Sequence, residues 1–155
     1  AREFGTHRGT APAPMERYFP RYPGVKPSMD ETRALARDRG YVETVFGRRL
    51  YLPEIRSRNR QQQQYAERSA INAPMQGTAA DIIKRAMIAV DDWIERERPG
   101  ARLVMQVHDE LVLEVAEDQV EAVRDRVVEF MTGAASLSVP LRADTGVGAN
   151  WDQAH

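Results

Sequence analysis

Three consecutive polar residues, His108, Asp109 and Glu110, separate two alternating apolar runs. Leu103, Met105 and Val107 lead in, and Leu111, Leu113 and Val115 lead out. The alternation predicts a hairpin over residues 102–115, with each trio on one face of its strand and the polar residues at the turn. Adjacent carboxylates at Asp109 and Glu110 can offer hard oxygen ligands to Mg²⁺. Paired strands would hold them in place, as metal-assisted phosphoryl chemistry requires. In a two-metal site one ion activates the attacking hydroxyl and the other steadies the leaving oxygens. A single turn cannot bracket two ions, so a partner acid has to come from elsewhere. The bland reading of the same tripeptide is an ordinary solvated turn.

A second constellation is Arg68, Asn72 and Gln76, spaced i, i+4 and i+8. On a helix these residues share one face. Their side chains are donors that can reach minor-groove acceptors, which are nearly the same for every Watson–Crick pair. Such contacts suit a protein that holds any sequence. The competing reading is a polar helix face meeting solvent. Pro74 falls inside the spacing and is expected to mark a helix start there, which would disturb the alignment.

The elements that must carry these residues follow from periodicity and punctuation. Residues 15–40 read as a helical piece interrupted by Pro20, Pro23 and Pro27, with a helix after Pro27 that stops at Gly40. Residues 41–55 read as a hairpin turning at Phe46-Gly47-Arg48. Residues 56–70, with the run Gln61 to Gln64, read as a loop or the start of a polar helix. Ile83, Met87, Val90 and Ile94 form a helical stripe over 76–97. Thr78 and Asp81 come close to a capping box at its start. Val120, Val123, Val127 and Met131 predict a helix over 118–132 ended by Gly133. A short strand is expected around Val139, Leu141 and Ala143. The order helix, hairpin, helix, hairpin, helix, strand indicates an α+β fold with an antiparallel sheet.

Composition bounds these readings without choosing among them. The chain has 155 residues, 22 Lys+Arg and 23 Asp+Glu, for a net charge of −1, which gives no global sign of a polyanion partner. The charge is uneven, however. Residues 41–68 carry six arginines against three glutamates, and residues 91–130 carry twelve acids against five arginines. That pattern suits a polyanion groove beside a cation site, or two solvated faces of opposite sign. With no cysteine, disulfides, thiolate metal sites and cysteine nucleophiles are excluded. No apolar run approaches the ~18–20 residues of a membrane span. Residues 1–14 lack apolar periodicity, and Glu3-Phe4 and Gly5-Thr6 are pairs that cloning-site hexamers encode. They are read as a linker or cloning-derived segment ahead of Met15.

Four stretches together resemble a known family: Tyr41 to Ile55, Ile71 to Met87, Met105 to Val115 and Asn150 to His155. They are similar, in order, to the C-terminal end of bacterial DNA polymerase I, the A family of template-directed DNA polymerases. The resemblance runs from about Met15 to the last residue, so residues 15–155 are expected to be a palm and fingers segment of such a polymerase domain. It implies an antiparallel palm-type sheet with packed helices, in an incomplete part of that domain. It implies nucleotidyl transfer from a dNTP to a primer 3′-hydroxyl, primer–template DNA as partner, two Mg²⁺ as cofactors and a cytoplasmic location.

Residue by residue, the resemblance aligns Asp109 with the family's metal-binding catalytic aspartate and Glu110 with its weaker neighbour. His108 matches a residue near the primer 3′ end. Arg68, Asn72 and Gln76 match residues that hold the duplex near the nascent pair. The family's other catalytic aspartate and its nucleotide-gripping fingers helix match nothing in this chain. The missing N-terminal part of the domain is therefore an expected partner, and the chain alone is expected to be inactive. Two other readings stand beside this one: a catalytically inactive fragment that binds DNA or only folds, and a metal-dependent phosphohydrolase.

Overall fold

The computed structural model describes residues 18–154, so the segment 1–14, Met15 and His155 lie outside the described residues. The chain divides into two compact units, residues 1–75 and 76–155.

In the first unit, helix α1 spans Val25–Arg39 and ends where expected. Gly40 takes the left-handed conformation at φ +78°, and its N–H donates to the Ala36 carbonyl oxygen at 2.8 Å. Glycine adopts that conformation without a Cβ penalty. Arg56 closes the same helix end from outside, donating through Nε to the Arg37 carbonyl oxygen and through Nη2 to that of Asp38. A cation there also suits the helix dipole.

Strands β1 (Tyr41–Glu43) and β2 (Arg49–Tyr51) pair antiparallel, Tyr41 opposite Tyr51 and Glu43 opposite Arg49. The turn runs through Gly47 at φ +80°. The period of two turns Val42 inward, where it joins Ala36, Leu52, Ile55, Ala66 and Ala70 in one buried cluster. Tyr41, Glu43, Arg49 and Tyr51 share the other face. There Arg49 pairs with Glu43 at 2.7 Å and lies 4.5 Å from the Tyr41 ring centroid. The hydrogen bond that Arg49 donates to the Glu43 carboxylate holds its guanidinium above the ordinary arginine pKa. At least two arginines of the basic stretch thus serve the fold itself.

Helix α2 spans Arg60–Glu97 without interruption. Of the two readings of residues 56–70, the start of a polar helix holds from Arg60 on; the expectation that Pro74 starts the helix is corrected. The N-terminus is set by Asn59, whose side-chain oxygen accepts from the N–H groups of Gln61 and Gln62. Thr78 and Asp81 therefore lie inside the helix, and Thr78 is buried rather than capping. The helix survives its proline because residues on both sides are anchored. Ala66 and Ala70 enter the first cluster, while Ile83, Ala86, Val90 and Trp93 are buried further along.

In the second unit, β3 (Ala101–Val107) and β4 (Glu110–Val115) form the expected hairpin. Helix α3 (Val120–Thr132) follows a short 3₁₀ turn at Glu117–Gln119. Val90, Trp93, Val123 and Val127 form its core, with Leu111, Leu113 and Val115 packed against them. That confirms the inward face of β4.

The face assigned to β3 needs correction. Leu103 lies opposite Leu113 but Met105 lies opposite Val112, so one extra residue sits between them. Such a bulge reverses the alternation beyond it. Leu103 therefore faces the core side, while Met105 and Val107 face the other side.

Gly133 caps α3 at φ −85°, not in the left-handed conformation. The strand expected around Val139, Leu141 and Ala143 does not form. The backbone at 138–147 pairs with no strand among the described residues, and a strand exists only through a neighbour's hydrogen bonds. A final helix, α4, spans Trp151–Ala154. The α+β class with antiparallel pairing holds, as two separate two-stranded hairpins.

Candidate nucleic-acid and metal site

Val107 pairs with Glu110, leaving His108 and Asp109 as a two-residue loop. Such loops need a positive φ to match the twist of the strands they join. His108 supplies it at φ +50°, a conformation that costs a non-glycine residue on the order of 1–3 kcal/mol. The side-chain amide of Gln106 donates to the His108 carbonyl oxygen and supports that backbone. His108 and Asp109 are exposed, and Glu110 is half-buried at the first position of β4.

The hairpin thus gathers His108, Asp109 and Glu110 at one end, with adjacent carboxylates held by a paired ladder. Two hard oxygen donors fit part of a Mg²⁺ shell, not a whole one. Among the described residues no group of three or more His, Cys, Asp or Glu gathers as a metal site. A groove of about 530 Å³ lies at the opposite end of the same hairpin, where Ala101, Arg102, Glu114 and Val115 line it with Ile94 and Arg98. It is a shallow surface remote from Asp109, and the chemistry of the turn does not extend to it.

Arg68, Asn72 and Gln76 are all on α2 and all exposed. Arg68 and Asn72, one turn apart, lie along one side of the helix, and Gln76 is the first residue of the second unit. Arg68 and Asn72 belong to the first unit, and His108 to Glu110 to the second. Sequence reasoning passed over two residues here. Gln106 emerges only from its hydrogen bond to the His108 carbonyl oxygen, which alternation cannot reveal. Tyr65, whose ring centroid lies 6.0 Å from the Arg68 guanidinium carbon, was legible as the residue at i−3 from Arg68 once the helix is extended to Arg60.

The family model for DNA polymerase family A matches residues 1–153. DNA polymerase I of Pseudomonas aeruginosa is 59% identical over 155 residues, covering 100% of this chain and 17% of that protein. The thermostable DNA polymerase I of Thermus filiformis is 47% identical over 155 residues, covering 99% of this chain and 18% of that protein. Among solved structures, the POL domain of Pol1 from M. smegmatis, in complex with DNA primer-template and dNTP, superposes with a TM-score of 0.91. It is 45% identical and covers 99% of this chain and 27% of that one. The chain therefore spans less than a fifth of the length of these curated relatives. With its motifs in order and residues 1–153 of its 155 matched by the family model, the chain belongs to DNA polymerase family A.

Proposed function

We propose that residues 15–155 are the C-terminal palm and fingers segment of a template-directed DNA polymerase. In the reaction, a primer 3′-hydroxyl oxygen attacks the α-phosphorus of a dNTP, a new phosphodiester forms and pyrophosphate leaves. The observation that carries this reading is the two-residue tip of the β3–β4 hairpin, which presents Asp109 beside Glu110 in a chain of this family.

In this reading the exposed Asp109 carboxylate supplies oxygen to Mg²⁺, with Glu110 as a weaker neighbour. Bound there, the ion would neutralise charge developing on the phosphate oxygens. His108 supports the primer 3′ end from the same loop. Arg68, Asn72 and Gln76 donate to minor-groove acceptors of the duplex, holding it without selecting sequence. Primer–template DNA, dNTP and the upstream part of the polymerase domain are the partners. DNA synthesis places this work in the cytoplasm, and among the described residues no helix is long and apolar enough to cross a membrane.

The chain alone supplies one acid position. Losing one preorganised donor costs ~10²–10³ in rate, so a site lacking its second acid and its nucleotide grip should give no measurable synthesis. Extension of a labelled primer tests this. No extension is expected from the 155-residue chain. Some should return when the upstream part of the domain is added as a separate chain, and Asp109→Ala should abolish it. Restored extension that survives Asp109→Ala would overturn the assignment of Asp109.

A further inference from the structure

Tyr65 is a large aromatic that the fold does not use. It is 66% exposed, while Ala66 beside it is 3% exposed and Ala70 is fully buried. The first core is built from Ala36, Val42, Leu52, Ile55, Ala66 and Ala70, without this ring. At 100° per residue, Tyr65, Arg68 and Asn72 fall within about 60° of one another around α2. The Arg68 guanidinium lies over the Tyr65 ring, with its carbon 6.0 Å from the centroid. Arg58 and Arg60, both exposed, come just before it in the chain. Glu67, the nearest acid in sequence, is paired with Arg37.

We propose that Tyr65 is a stacking contact for an unpaired base of the nucleic acid held along the Arg68–Asn72 face. The proposal rests on the duplex-holding reading of that face. A base inside a duplex is covered above and below, and it offers only edges to a helix beside it. An unpaired base offers its whole face. An exposed tyrosine with arginine over its ring is the combination by which single-stranded nucleic acid is held without sequence preference, the aromatic taking the base and the cations the phosphates. Arg58, Arg60 and Arg68 give this end of α2 the charge that a polyanion requires.

The test is fluorescence anisotropy with the full 155-residue chain and two labelled probes. One is a blunt DNA duplex. The other is the same duplex with a 5′ overhang of about six thymidines, enough to span one single-strand contact site. The unmodified chain should bind the overhang probe more tightly. Tyr65→Ala should weaken overhang binding about five- to a hundred-fold, the range of one lost base–aromatic stack. Its blunt-duplex affinity should change by less than about twofold, as for a surface substitution away from a contact. Tyr65→Trp should retain overhang affinity. Tyr51→Ala, which removes a similarly exposed aromatic from the β1–β2 hairpin, should leave it unchanged.

Unchanged overhang binding by Tyr65→Ala would overturn the proposal and leave the ring to a protein partner. Equal weakening on both probes would make Tyr65 a duplex contact and overturn it too. Failure of the unmodified chain to bind either probe would overturn the duplex-holding reading together with this one, an outcome distinct from the other two.

Discussion

Gln106 donates its side-chain amide to the carbonyl oxygen of His108, the one residue of the β3–β4 loop held at positive φ. In the register beyond the bulge between Leu103 and Met105, Gln106 lies opposite Leu111, two pairs into the ladder. The hydrogen bond therefore supports the backbone of the two-residue loop that carries Asp109. Gln106→Ala should lower stability by about 0.5–1.5 kcal/mol, the value of one such bond. His108→Gly should raise it by about 1 kcal/mol, since relief of the left-handed conformation outweighs glycine's added chain entropy. Urea denaturation of both variants reads these changes. A destabilised His108→Gly would show that the loop carries no strain.

Neighbouring positions on α2 should respond oppositely. Val90 is fully buried in the second core and Ile88 is 58% exposed. Val90→Ala leaves a cavity and should cost about 2 kcal/mol, whereas Ile88→Ala should stay within about 0.5 kcal/mol. Thermal unfolding compared at a common temperature would decide it. Similar losses at both positions would mean that the outer face of the helix is covered in solution.

The C-terminal helix makes close backbone contact with the segment before it. A Cβ built on Gly146 would lie 1.7 Å from the Ala154 carbonyl oxygen, and one on Gly148 would lie 2.8 Å from the Ala154 nitrogen. Backbone cannot yield as a flexible side chain does, so Gly146→Ala should displace Trp151–Ala154. A shift in Trp151 fluorescence is expected, with the buried Trp93 unaffected and melting changed by less than about 1 kcal/mol, since only a short terminal element moves. A variant with native Trp151 emission would place the helix elsewhere.

Metal binding by the chain alone should be weak. Asp109 and Glu110 bring two carboxylates, and among the described residues no group of three or more His, Cys, Asp or Glu is arranged to hold a metal ion. Mg²⁺ keeps its waters unless several ligands converge, so an affinity no better than about millimolar is expected. Paramagnetic broadening by Mn²⁺ at Asp109 would report it, with Asp109→Asn as the control. Saturation at micromolar Mn²⁺ would reveal a ligand set larger than this pair.

What the sequence determined by itself was local. The β3–β4 hairpin, the inward face of β4 and the Gly40 stop were legible because periods of two and 3.6 and a left-handed glycine act over a few residues. The family, and with it the residues to suspect, came instead from the resemblance of four ordered stretches to a known family, which the family model bears out for the family. Tertiary structure decided the rest. Whether Pro74 ends a helix depends on whether the turns on both sides are anchored, and buried Ala66, Ala70, Ile83 and Ala86 anchor them. Whether Val139, Leu141 and Ala143 make a strand depends on a neighbour to accept and donate hydrogen bonds, and no strand among the described residues pairs with them. The bulge that turns Met105 away is a matter of registration between two strands, which neither strand specifies alone. The aim of Asp109 was thus set by pairing across the hairpin, although its identity was written in the chain.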